Sequence, residues 1–63
     1  MRKAKIVTID DDPDILEVLR ITLEANNYEV HAASNGAEGL RVIKEVRPDL
    51  IILLWSYPSS RQG

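Results

Sequence analysis

The chain is 63 residues long and carries eight lysines and arginines against ten aspartates and glutamates, a formal net charge of −2, with no cysteine. That length allows one small domain, below the size at which a single core is comfortably self-sufficient, and neither a disulfide nor a thiolate-held metal is available as a staple. No basic cluster supports nucleic-acid binding, the longest apolar run (Leu50 to Trp55) is too short to cross a bilayer, and the N-terminus lacks a signal-peptide core, so a soluble cytoplasmic protein without nucleic-acid or membrane partners is expected.

Met1 to Lys5 is a short basic lead-in. The first strand is predicted over roughly Ala4 to Ile9, because its β-branched apolar run, Ile6 to Ile9, has the character of a strand buried on both faces of a parallel sheet. The run stops at three carboxylates, Asp10-Asp11-Asp12, and Pro13 follows. Asp12 has the chemistry of an N-cap and proline is well tolerated at the first helical position, so a helix begins here. Asp10 and Asp11 are then left at the carboxyl end of a central strand, where open α/β sheets bind their ligands.

The first helix is predicted over Pro13 to Ala25, with Ile15, Leu16, Leu19, Thr22 and Leu23 on its buried face. Glu17, Arg20 and Glu24 form a polar stripe opposite, where a Glu17–Arg20 pair contributes a few tenths of a kcal/mol (about 0.3–0.5). Asn26-Asn27 ends the helix, since asparagine accepts a left-handed conformation. A weaker second strand, Tyr28 to Ala32, follows; His31 near its end has no partner in sequence and is expected at a surface or edge. Ser34-Asn35-Gly36 opens the second helix, with Asn35 and Glu38 at capping-box spacing and Leu40, Ile43 and Val46 as the buried stripe. Gly39 inside this helix costs about 1 kcal/mol relative to alanine, a sign of close packing against a neighbour. Arg47-Pro48-Asp49 ends the helix, because a residue before proline avoids the helical region. Leu50 to Leu54 is a third strand, apolar on both faces, and Trp55 to Gly63 is a polar, turn-rich tail. The pattern is α/β: a β-α-β-α-β unit whose right-handed crossovers make a parallel sheet, with residues 1–54 as the domain and 55–63 as an irregular tail.

Three stretches resemble the receiver domain of bacterial two-component response regulators, with its CheY-like, flavodoxin-like fold. They are Lys5 to Ile15 (first strand and acidic loop), Tyr28 to Leu40 (second strand and start of the second helix) and Arg47 to Leu53 (third strand). The resemblance spans residues 4 to about 54 in order and spacing, and implies the N-terminal half of a doubly wound sheet with strands in the order 2-1-3. It also implies that Asp10 and Asp11 bind Mg²⁺, with Ser56 offering a backbone carbonyl. The family's phosphoacceptor aspartate closes the third strand four residues before a proline; with Pro58 setting the register, that position is Leu54. Leucine has no oxygen for a phosphoryl group or a metal, so the resemblance implies weak Mg²⁺ binding and no phosphorylation at the usual site. The family's later hydroxyl residue, lysine and last two strand–helix units have no counterpart before Gly63.

Asp12 and Asp14 have the simpler reading of a cap and a first-turn charge favourable to the helix dipole, each contributing about 0.3–1 kcal/mol. For Asp10 and Asp11 an inherited metal-site geometry is favoured. Ser56, Ser59 and Ser60 read as a solvated tail, and Trp55 and Tyr57 as cover for exposed sheet.

A sheet ordered 2-1-3 leaves the third strand as an open apolar edge, which recruits another strand. A homodimer is therefore expected through Leu50, Ile51, Ile52, Leu53 and Leu54, with a histidine kinase as the partner that the resemblance implies. The expected function is a truncated or degenerate receiver in a two-component relay, not an enzyme, acting by protein contact or self-association. An engineered or frameshifted half-domain with no function of its own is the alternative. A Mg²⁺-dependent phosphoacceptor using Asp10, Asp11 or Ser56 ranks below both.

Overall fold

A computed structural model of the chain describes residues 2–54. It contains β1 (Lys5–Ile9), α1 (Pro13–Ala25), β2 (Glu29–Ala33), α2 (Gly36–Val46) and β3 (Leu50–Leu53). The three strands form one parallel sheet, as the sequence pattern predicts, in the order β2-β1-β3 that the receiver-domain resemblance implies. The tail, with Trp55, Ser56, Tyr57, Pro58, Ser59 and Ser60, lies outside the described residues.

Local chemistry places the boundaries. Asp12 caps α1 by accepting the Asp14 N–H at 2.9 Å, with Pro13 at the first helical position. Asn26 and Asn27 close α1; it is Asn27 that enters the left-handed region, at φ 72°. The second strand begins one residue later than expected, because the Tyr28 N–H is spent on the Leu23 carbonyl at 3.1 Å and still belongs to the helix terminus. Asn35 caps α2 by accepting the Glu38 N–H at 2.8 Å, and Glu38 reaches back to the Ser34 N–H at 2.8 Å, one residue upstream of the usual capping-box return. Arg47 ends α2 by leaving the helical region ahead of Pro48, into the left-handed well at φ 54°.

The core sits on β1, where Ile6, Val7, Thr8 and Ile9 are all buried. Strand alternation sends Val7 and Ile9 to one face, where they join Ala33 beneath Val42 and Ile43 of α2. Ile6 and Thr8 point to the other face. The two right-handed crossovers run in opposite directions along the sheet, which puts α1 on that second face, with Leu16 buried beneath it. Gly39 meets the expectation of close packing: a Cβ there would lie 2.5 Å from Ile9 Cδ1.

Both helices touch β1 and β2, and neither touches β3. That placement corrects two assigned faces. Leu16 is buried and Leu19 and Leu23 are half-buried, but Ile15 is 41% exposed and Thr22 is also exposed. On α2 the inward residues are Gly39, Val42, Ile43 and Val46, while Leu40 is 61% exposed. Ile15, Thr22 and Leu40 sit roughly a quarter turn from the inward arcs, on the β3 side of each helix given right-handed crossovers, where nothing among the described residues meets them. Arg20 makes the expected pair with Glu17 at 2.6 Å and adds Glu24 at 3.0 Å.

The core holds one unsatisfied polar atom among the described residues: Thr8 is fully buried and its Oγ1 has no hydrogen-bond partner. An orphaned buried hydroxyl costs about 1–3 kcal/mol, and valine has nearly the same shape. Thr8→Val is therefore expected to stabilise the fold by about 1 kcal/mol, read as a higher urea midpoint at unchanged slope. A lower midpoint would mean that the hydroxyl is satisfied in solution.

Candidate functional site at the carboxyl ends of the strands

The backbone ladder continues one residue past β1 on each side. The Asp10 N–H donates to the Ala33 carbonyl at 3.1 Å, and the Leu54 N–H donates to the Ile9 carbonyl at 3.0 Å. Asp10 is thereby held at the end of the central strand and is only 4% exposed. Its Oδ1 accepts the Asp12 N–H at 3.2 Å, which folds the acidic loop back over the strand end. Asp11, next in the chain, is exposed.

A cleft of about 250 Å³ opens here between the β2–α2 loop and the end of β3. Ile9, Asp10 and Asp11 line it at the end of β1, Ser34, Asn35 and Gly36 from the β2–α2 loop, and Leu53 and Leu54 from β3 and the residue after it. The fold thus brings together the residues that sequence reasoning singled out as the site, Asp10, Asp11 and Leu54. It adds the Ser34-Asn35-Gly36 turn, which sequence reasoning had used only as a helix start.

Mg²⁺ takes near-octahedral oxygen coordination, usually one or two carboxylates with waters and phosphate oxygens. Asp10 and Asp11 are suitable donors in kind. Among the described residues no third His, Cys, Asp or Glu joins them in a group able to hold a metal, and Leu54 presents only carbon where the cleft would need oxygen. Among the described residues the donor set is therefore these two carboxylates. Ser56, whose carbonyl was expected to contribute, lies outside the described residues.

His31 has a partner after all. It lies mid-strand on β2, half-buried, with Nε2 2.7 Å from Glu29 Oε2. Residues two apart share a strand face, which is the signal that could have paired them. The hydrogen bond to His31, opposed by partial burial and assisted by the His31 and Lys5 charges, holds the Glu29 carboxyl below its ordinary range. Glu29 stands in register with Lys5, at the far end of the sheet from the cleft, so the pair belongs to the edge strand and not to the site.

No helix among the described residues is long and apolar enough to cross a membrane. The chain matches the family described as response regulator receiver domain over residues 6–61. Transcriptional regulatory protein GlrR of Escherichia coli (strain K12) is 41% identical over 51 residues, which is 81% of this chain and 12% of that protein. Transcriptional regulatory protein KdpE of Mycobacterium tuberculosis (strain ATCC 25618 / H37Rv) is 48% identical over 48 residues, 76% of this chain and 21% of that one. Among solved structures, the chemotaxis protein CheY4 of Vibrio cholerae superposes with a TM-score of 0.78 and 34% identity, covering 79% of this chain and 42% of that one. A response regulator receiver domain protein from Clostridium thermocellum gives 0.76 and 40% identity, covering 79% and 41%. The chain spans less than a quarter of these two curated relatives and less than half of either solved chain.

Proposed function

The chain belongs to the response regulator receiver domain family, and on that premise we propose that it acts in a two-component relay by protein contact, without phosphoryl transfer at Leu54. One observation carries the reading. The Leu54 N–H bond to Ile9 sets a leucine beside Asp10 and Asp11, in the same cleft. Phosphoryl transfer is mostly positioning and neutralisation of charge around a nucleophile. A cleft with two carboxylates, no third ligand among the described residues and a methyl-capped side chain in place of an oxygen supplies neither the nucleophile nor a well-held cation. Weak Mg²⁺ binding, a histidine kinase as the partner by family likeness, and a cytoplasmic location belong to the same reading.

Incubating the full chain with a small phosphodonor and Mg²⁺, then measuring intact mass, is expected to show no phosphate-sized increase. An increase would sink the proposal in favour of phosphorylation at Asp10, Asp11 or Ser56, and fragmentation would say which.

The contact we assign to this chain is with a second copy. Among the described residues β3 ends the strand order, neither helix touches it, and Leu50, Ile51 and Leu53 are 54%, 45% and 58% exposed. Unpaired edges of that composition recruit a strand. A two-fold pairing of β3 with itself gives a sheet ordered 2-1-3-3-1-2 through an isologous interface.

A further inference from the structure

Asparagine is a thermolabile side chain, and the residue after it decides how readily it reacts. The sequence holds three asparagines, Asn26, Asn27 and Asn35, and only Asn35 is followed by glycine. With no Cβ beside it, a glycine nitrogen can approach the side-chain carbonyl carbon of the asparagine before it. The fold sets this pair at the acidic cleft. Asn35 and Gly36 are both exposed, and both line the cleft together with Asp10 and Asp11. Gly36 is the first residue of α2, so its N–H has no intrahelical acceptor. A Cβ at Gly36 would meet nothing within 4 Å, so the turn has room to move. Asn26, by contrast, donates through Nδ2 to the Thr22 carbonyl at 2.8 Å, and the residues after Asn26 and Asn27 both carry side chains.

The capping bonds stand against the reaction. Asn35 Oδ1 accepts the Glu38 N–H at 2.8 Å, and Glu38 Oε1 accepts the Ser34 N–H at 2.8 Å. Closing a five-membered ring needs the Gly36 nitrogen nearly eclipsed with Asn35 Cβ, which the extended backbone of Asn35, ψ 173°, does not give. The cap has to open first. Helix ends fray, and such openings are among the least costly local motions of a fold.

We propose that Asn35 is a site of spontaneous deamidation, gated by fraying of the first turn of α2. The Gly36 nitrogen bonds to Asn35 Cγ and gives up its proton; the Cγ–Nδ2 bond breaks, and Nδ2 leaves as ammonia with that proton. Water then opens the cyclic imide at either carbonyl, giving aspartate or isoaspartate at position 35. Nothing is oxidised or reduced, and solvent water is the one co-reactant. The two products differ in what they do to the fold. Aspartate caps a helix as well as asparagine does, and it adds a negative charge to the cleft of Asp10 and Asp11. Isoaspartate routes the main chain through the former side chain. The Asn35 carbonyl that accepts the Gly39 N–H at 2.8 Å then leaves the main chain, and Gly39 is the residue pressed onto Ile9. The charge of the cleft and the seating of α2 therefore change as the molecule ages, independently of the contact role proposed above.

The test follows the intact mass of the full chain during incubation at neutral and at mildly alkaline pH, with fragmentation to place any change. The expected result is the small mass gain that separates an acid from an amide, at Asn35, faster at alkaline pH. Gly36→Ala puts a Cβ into open space, so it should fold as the parent does while slowing the gain about tenfold or more. Asn35→Ser keeps a capping oxygen and should gain nothing. Glu38→Ala removes the bond to the Ser34 N–H and should speed the gain several-fold, and denaturing guanidinium chloride should speed it further. An isoaspartyl methyltransferase, used as a probe, should label the aged parent chain and not aged Asn35→Ser. No gain at Asn35 overturns the proposal, as does a Gly36→Ala chain that gains at the parent's rate. A gain that neither Glu38→Ala nor denaturant accelerates refutes the gating by α2 and leaves the modification standing.

Discussion

Leu54→Asp is expected to convert the cleft from one that binds Mg²⁺ weakly into one that depends on it. The substitution sets a third carboxylate beside buried Asp10 and exposed Asp11, since the Leu54 backbone is already tied to Ile9 at 3.0 Å. Without a cation the added charge repels its neighbours. At 4 Å and an effective dielectric constant near 20 the bare interaction is about 4 kcal/mol, of which protonation and water leave a net destabilisation of about 1–2 kcal/mol. Mg²⁺ at ten times its dissociation constant returns about 1.4 kcal/mol. Urea midpoints with chelator and with Mg²⁺ should therefore separate clearly for Leu54→Asp and only slightly for the parent chain. The recovery in Mg²⁺ is what identifies the cause: a general loss of packing lowers both midpoints equally. Equal midpoints for the variant would mean that position 54 does not face Asp10 and Asp11 in solution, and the reading of the cleft would fail with it.

The parts of this fold that could be read from the sequence are those set by local chemistry. Ile6 to Ile9 had to be a doubly buried strand because four apolar or β-branched residues in a row leave no polar face, and Asp12-Pro13 and Asn35 had to start helices because their side chains bond the free N–H groups. Faces were harder. A helical period says that Ile15, Leu16, Leu19, Thr22 and Leu23 lie on one broad apolar arc; it does not say which part of the arc meets a sheet only three strands wide. Ile15 and Leu40 lie outside the contact because β1 and β2, not β3, carry the helices. The cleft was half-legible for a similar reason. Asp10 and Asp11 mark themselves as adjacent acids at a strand end, whereas Leu54 stands out only through the receiver-domain resemblance, with Pro58 setting the count. Ser34-Asn35-Gly36 joins them through the parallel pairing of β2 with β1, which no local pattern contains.

Gly39→Val is expected to be the most damaging single substitution in α2. Two effects oppose each other at this position. Any residue other than glycine makes the helix intrinsically easier to form, by about 1 kcal/mol for alanine and less for valine, whose branched side chain loses rotamer freedom there. Against that, a Cβ at Gly39 lies 2.5 Å from Ile9 Cδ1 and 3.0 Å from Cγ1, and Ile9 is itself held in the core with Val7 and Ala33. Overpacking of this kind costs typically about 1–3 kcal/mol, more as atoms are added. For alanine, the terminal methyl of Ile9 can yield, and the net loss is about 1 kcal/mol. For valine, two further carbons enter the same space and the net loss exceeds about 2 kcal/mol. A chain of 63 residues has a total stability of only about 3–9 kcal/mol, so the valine variant should lose roughly a fifth to two thirds of it, read as a clearly lower urea midpoint. The contact itself is tested by a double-mutant cycle. Ile9→Val alone removes a buried methyl group and costs about 0.5–1.5 kcal/mol. In the Gly39→Ala background the same change removes the clashing atom, so it should cost nothing or stabilise. Losses that simply add would show that α2 does not press Gly39 onto Ile9, and would remove the reason for glycine inside the helix.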